Sequence, residues 1–153
     1  MSQPQSQALA EVLERYRHRA IDQDNIGLYE GWLAHELRLN KCADCGKWHE
    51  PARAICPFCW SINVAPAAVS GRGTVYLAIL LRQGREEEGV TYPYPVVLIE
   101  LEEQEGLRFT GTMADCAWDE IKVGTPVRLD WTERHGAPFP VFRIDEARKQ
   151  GNK

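Results

Sequence analysis

The chain of 153 residues contains no run of eighteen apolar residues, so no transmembrane helix is expected. Its opening, Met1-Ser2-Gln3-Pro4-Gln5, lacks the basic start and apolar core of a secretory signal, and the expected location is cytoplasmic. A basic stripe is missing too. Lysine and arginine total 18 against 22 aspartates and glutamates, and residues 61–148 carry nine basic and fourteen acidic groups. A polyanion binder needs clustered positive charge, so this distribution argues against nucleic acid as a partner.

The signatures of an enzyme are equally sparse. There is no phosphate-binding loop, no dinucleotide fingerprint and no serine in a nucleophile elbow. The histidines, His18, His35, His49 and His135, are scattered along the chain. Cys116 stands outside the paired cysteines, beside Ala114, Asp115 and Asp119, with no cation to favour its thiolate. It reads as a small, partly buried hydrophobe. Asp115, Asp119 and Glu120 read as a solvated helix start, and Glu86-Glu87-Glu88 as a solvated loop. Catalysis by the isolated chain is not expected.

What is present is a soluble globular composition, 44% hydrophobic and 26% charged, enough for one domain or two small modules. Leu9, Val12, Leu13, Tyr16 and Ala20 recur at helical spacing behind Ser6, which predicts a capped helix over 6–20. Asp22-Gln23-Asp24-Asn25 breaks that pattern, and Leu28, Tyr29, Trp32 and Leu33 predict a short second helix with an aromatic face. Ala65-Pro66-Ala67-Ala68 reads as a connector. Strands are predicted over 74–82, 95–101, 107–113, 127–132 and 141–144, with a short helix within 114–121. On the first strand Val75, Leu77, Ile79 and Leu81 should share one face. The second is apolar enough to be buried on both faces. Three strands, a helix and two strands is the order of a five-stranded oligonucleotide/oligosaccharide-binding (OB) barrel.

The chemistry sits in Cys42-Ala43-Asp44-Cys45-Gly46 and Cys56-Pro57-Phe58-Cys59, two C-x2-C pairs separated by ten residues. Two-residue spacing lets both thiolates of a pair converge on one ion, and Gly46 supplies the positive φ the turn needs. In a reducing cytosol paired cysteines are expected to ligate metal and not to form disulfides. Four thiolates close a tetrahedron and leave no position for water, so the expected cofactor is one structural Zn2+ per chain. Iron in the same thiolate site is the alternative. Trp60 stands where glycine or serine commonly follows the second pair, either to tighten packing or to form a surface contact.

A short aromatic helix, this ribbon, and Gly71-Arg72-Gly73-Thr74-Val75-Tyr76 follow one another along the chain. Then come Pro93-Tyr94-Pro95-Val96-Val97, Val123-Gly124-Thr125-Pro126-Val127 and Pro138-Phe139-Pro140-Val141-Phe142. From about Leu28 to Ile144 the sequence resembles the zinc-ribbon/OB-fold family long known as "domain of unknown function thirty-five". It departs from the family at Pro51-Ala52-Arg53, where two prolines often precede the arginine, and at Trp60. The resemblance implies a mainly β protein: N-terminal helical segment 1–35, rubredoxin-like zinc ribbon 36–63, OB-fold domain 64–148 and tail 149–153.

The resemblance also implies a non-catalytic accessory subunit in a hetero-oligomer with a thiolase-superfamily partner. That partner could be a thiolase, an acyltransferase or a lipid-transfer-protein-like aldolase of steroid or lipid side-chain degradation. Such subunits help to form the acyl-CoA channel. Trp32, Tyr94, Trp118 and Phe139 are the expected partner or channel residues, with Tyr92 and Phe142 also at element ends. Arg53, Arg72 and Arg143 could meet CoA phosphates or pair with neighbouring acids. The competing function is single-stranded nucleic-acid binding by the barrel through Tyr76, Phe109 and Trp131.

Overall fold

The computed structural model of the protein describes residues 3–151, with side chains from residue 7 onward. The chain forms two compact units: Met1–Val69 with His135–Pro138, and Ser70–Arg134 with Phe139–Lys153.

In the first unit, α1 spans Gln3–Arg15. It starts before and ends before the predicted 6–20, and the side chain of Ser6, the expected cap, lies outside the described residues. The stripe itself is real: Val12 and Tyr16 are buried, and the Tyr16 hydroxyl donates to the Pro138 carbonyl at 2.8 Å. Leu13, read as part of the stripe, is exposed. The break at 22–25 has a local cause. The Asp22 carboxylate accepts the amides of Asp24 and Asn25, each at 2.9 Å, and so turns the chain into α2 (Ile26–Leu33). That helix stops where His35 takes a φ of 56° and the Glu36 amide reaches back to the Gly31 carbonyl at 2.8 Å.

Strands β1 (Arg38–Cys42), β2 (Trp48–His49) and β3 (Val64–Ala68) form a sheet in the order β2-β1-β3. The stretch read as a connector, Ala65–Ala68, is therefore strand. Its alanines and proline carry little strand signal, but pairing with β1 (Leu39 opposite Ala67, Cys42 opposite Val64) holds it extended.

The second unit contains β4 (Arg72–Leu81), β5 (Tyr94–Leu101), β6 (Arg108–Gly111), β7 (Pro126–Arg134) and the latter part of β8 (Ala137–Ile144). The order is β6-β5-β4-β7-β8. The outer strands then meet in a parallel bridge between Met113 and Phe142, where Phe142 N donates to Thr112 O and Ala114 N to Phe142 O, both at 2.8 Å. That closure makes the sheet an OB barrel. Val75, Val97, Ile99, Val127, Val141 and Phe142 fill it. At Gly73 a Cβ would lie 2.3 Å from the Glu100 carbonyl oxygen, so only glycine allows β4 to lie this close to β5.

Two strand readings need correction. The pairing of β4 with β5 shifts between Val75 and Leu77, a bulge that inserts Tyr76. One extra residue reverses the faces beyond it, so Val75 points inward while Leu77, Ile79 and Leu81 are exposed. Strand β5 is not buried on both faces: full burial alternates, falling on Val97, Ile99 and Leu101. The predicted helix within 114–121 is a single 3-10 turn, Trp118–Glu120, in which the Glu120 carboxylate accepts the Ala117 amide at 2.7 Å. A last helix, α3 (Glu146–Gln150), is too short for its periodicity to be read.

Candidate metal centre and aromatic surfaces

Cys42 ends β1 and Cys45 lies in the β1–β2 turn, while the second pair lies in the loop before β3. The two turns repeat one backbone pattern. Cys42 N donates to Lys47 O (2.9 Å) and Gly46 N to Cys42 O (3.0 Å). Likewise Cys56 N donates to Ser61 O (2.8 Å) and Trp60 N to Cys56 O (3.0 Å). Gly46 and Trp60 occupy the equivalent left-handed position, with φ of 72° and 63°. For an L-residue that conformation costs roughly 1–2 kcal/mol, a cost that glycine avoids.

The two turns bring the four sulfurs together. Cys42 Sγ lies 3.6 Å from Cys59 Sγ and Cys45 Sγ lies 3.7 Å from Cys56 Sγ, with all four within 4.8 Å of one another. A tetrahedral ion with metal–sulfur bonds of ~2.3 Å requires sulfur–sulfur edges of ~3.8 Å, so the cluster fits such an ion. It does not fit disulfides, whose sulfurs are bonded at ~2.05 Å, and all the cysteines are free. Backbone amides prepare one of the four sulfurs, that of Cys42, as an anion, whereas desolvation and the neighbouring sulfurs push the Cys45 and Cys59 thiols up. The Cys45 amide, then that of Asp44, donates to Cys42 Sγ and helps to bring its thiol down to about 7.

A polar clamp that the spacing does not announce joins the turns. The Asp44 carboxylate accepts the Ser61 hydroxyl and the Asn63 side-chain amide (3.0 Å), and Ala43 N donates to Asn63 O at 2.8 Å. Those donors, Ser61 first, hold the Asp44 carboxyl below its usual range. The only sequence signal was an acid inside one C-x2-C and small polar residues just after the other.

The remaining residues of interest fall differently. Trp32, expected at a partner surface, is 6% exposed: its ring meets Tyr16 edge-on at 5.7 Å and Tyr29 at 4.9 Å. It is a core residue, because the aromatic stripe of α2 faces the stripe of α1 and not solvent. Tyr94 and Phe139 are half-buried and share the buried Arg134, which the sequence reading did not single out. The guanidinium lies 3.8 Å over the Phe139 ring and donates to the Tyr94 hydroxyl at 2.9 Å. Trp118 is exposed on the 3-10 turn. Arg72 pairs with Glu102 at 3.0 Å, and Arg143 with Asp130 at 2.5 Å and with Asp115, so neighbouring acids engage both. Arg53 is exposed, beside a groove on the ribbon.

Burial pushes the Cys116 thiol up, Glu120 adding to it, the opposite of what a nucleophile needs. Of the aromatics considered for base stacking, Phe109 is buried in the barrel and Arg108 already covers Tyr76 at 3.5 Å.

Comparison with known proteins agrees with this arrangement. The ChsH2 rubredoxin-like zinc ribbon domain matches residues 30–64, and the ChsH2 C-terminal OB-fold domain matches 67–132. A DUF35 domain-containing scaffold protein of Methanothermobacter thermautotrophicus is 32% identical over 96 residues, covering 62% of this chain and 71% of the relative. The chain belongs to the DUF35 zinc-ribbon/OB-fold family. A solved structure titled "Ltp2-ChsH2(DUF35) aldolase" contains a chain 33% identical to this DUF35 protein, at a TM-score of 0.74. The match covers 82% of this chain and 98% of that one. A probable enoyl-CoA hydratase alpha subunit of Thermomonospora curvata is 34% identical over 125 residues, covering 81% of this chain. The chain spans only 38% of that subunit's length.

Proposed function

We propose that this DUF35 protein is a non-catalytic accessory subunit that binds a thiolase-superfamily partner and helps to wall the partner's acyl-CoA channel. The observation that carries the reading is the closed four-thiolate site in a chain that matches nearly the whole DUF35 component of an aldolase complex. Such a site fits one structural zinc, held by Cys42, Cys45, Cys56 and Cys59, and a saturated ion activates no water. The nucleophile or base and the oxyanion donors then belong to the partner.

The contribution of this chain is to exclude water and to orient substrate, which alters rate without any proton transfer by its own side chains. Tyr94 and Phe139, held by Arg134, and the exposed Trp118 are the residues through which the barrel would do so. Trp32 supports the ribbon unit from within and is not a contact. The acyl group handled, which the resemblance extends to steroid side chains, follows from the partner.

The test is co-expression with a lipid-transfer-protein-like aldolase from the same genome, followed by size-exclusion chromatography and acyl-CoA turnover. A stable hetero-oligomer is expected, with Phe139→Ala lowering turnover several-fold and leaving assembly intact. A partner that stays soluble and fully active without this chain overturns the reading.

A further inference from the structure

The two cysteine turns are alike in backbone but not in what they present. The first carries Gly46 at its left-handed position, and the second carries Trp60, the residue type least suited to it by size. Trp60 is 81% exposed, and its indole has no hydrogen-bond or ring partner among the described residues. It therefore adds strain to the turn without tightening it. Around it Ile62 (78%), Phe58 (56%) and Ile55 (47%) are exposed as well, an unusual concentration of large apolar side chains on a short loop. Trp60 and Ile55 line a groove of about 380 Å³ together with Arg53, Ala54, Cys56 and Pro57.

Charge says what the patch meets. Arg53 on the groove has no carboxylate partner among the described residues, nor has Lys47, whose ammonium sits 5.9 Å over the Phe58 ring. Arg38 of the same unit, by contrast, is paired with Glu36 at 2.6 Å. An apolar centre flanked by two cations without carboxylate partners complements a protein face with an apolar pocket and an acidic rim. Ile55 and Ile62 add nothing to base stacking, and two cations are few for tracking a phosphate backbone, so protein is favoured over a nucleic-acid strand.

We infer that Trp60 is the anchor by which the second cysteine turn docks on the thiolase-superfamily partner, its indole entering an apolar pocket whose carboxylates meet Lys47 and Arg53. The inference rests on the accessory-subunit reading and names the contact that this reading leaves open. Anchors of this kind are large, rigid and surrounded by residues that shut out water, a role Ile55, Phe58 and Ile62 fill here. The strain at Trp60 is tolerated because the selected property is docking and not the stability of the free chain.

Replacing Trp60 with the residue its counterpart uses gives a test with opposite readouts. In the isolated, metal-loaded chain Trp60→Gly should keep one ion per chain and raise the thermal midpoint by about 2–4 °C. Against the purified lipid-transfer-protein-like aldolase, titrated by calorimetry, the same variant should weaken Kd at least tenfold. The double variant Lys47→Glu/Arg53→Glu should slow association and flatten its salt dependence. A lowered midpoint for Trp60→Gly would show that the indole packs within the chain and overturn the inference. A Kd within twofold of wild type overturns it too, as does single-stranded oligonucleotide binding that Trp60→Gly abolishes. If the wild-type chain forms no complex with the aldolase, the accessory-subunit reading falls, and the inference with it; a complex indifferent to Trp60 sinks the inference alone.

Discussion

The ribbon unit and the barrel unit solve the same problem with different physics. The barrel closes on itself and fills its interior with branched and aromatic side chains, Phe142, Ile99, Val75 and Val127 among the fully buried ones. The ribbon sheet has three strands, one of them only two residues long, and its loops expose more large apolar side chains than they bury. Too little surface is removed from water there for hydrophobic burial to fix the two turns. Four clustered thiolates, with the ion they fit, would supply what the core does not. A small module whose loops a metal holds in shape can commit those loops to other contacts.

Removing the ion should break that contrast most sharply. Apparent binding energies of structural zinc run to ~10–16 kcal/mol, and in such a module binding energy is folding energy. Elemental analysis should find one zinc and negligible iron per chain. Cys42→Ser, or refolding under a strong chelator, should abolish the ordered ribbon while barrel signals persist by NMR. A metal-free chain that keeps its ribbon resonances would end the argument. The converse change is Phe142→Ala. It empties a fully buried site and should cost about 3–5 kcal/mol in the barrel, leaving metal content unchanged.

The contrast also explains what could be read in advance. Spacing alone exposes the four clustered cysteines, because C-x2-C twice is the pattern that lets four thiolates converge on one point. Most strand positions along the barrel are equally visible, since turn residues bound the strands, β5 is an apolar run and Val127, Leu129 and Trp131 alternate along β7. The face of β4 was not, because one bulged residue at Tyr76 reverses parity and leaves no mark in composition. Nor was β3, whose Ala65-Pro66-Ala67-Ala68 is extended by its neighbour and not by its own propensity. Trp32 misled for a related reason: an aromatic stripe reads the same whether it meets solvent, a partner or another helix. Asp44 was invisible because Ser61 and Asn63 lie 17 and 19 residues away, and Arg134 because Tyr94 lies 40 residues away and Phe139 meets it only across the turn between β7 and β8.

The smallest expected effect is electrostatic and belongs to the ribbon unit. Glu50 follows β2, half-buried, and burial raises its carboxyl to about 7. In the unfolded chain the same group titrates near ~4.3. Between those values the folded protein holds a proton that the unfolded chain has released, so ionisation favours unfolding. Stability from this group is therefore present below about pH 4.3, is lost as pH rises to about 7, and stays constant above. Glu50→Gln removes the penalty without changing shape. The variant should gain about 1–2 kcal/mol over wild type at pH 8, discounting the shift for the carboxyl's remaining contact with water, and less at pH 5. Measuring the difference at each pH with matched metal content cancels the loss of thiolate ligation in acid. An equal gain at both pH values would mean that packing and not charge is what changed. A loss at pH 8 would mean that the carboxylate is held by a partner when ionised, and that burial does not govern it.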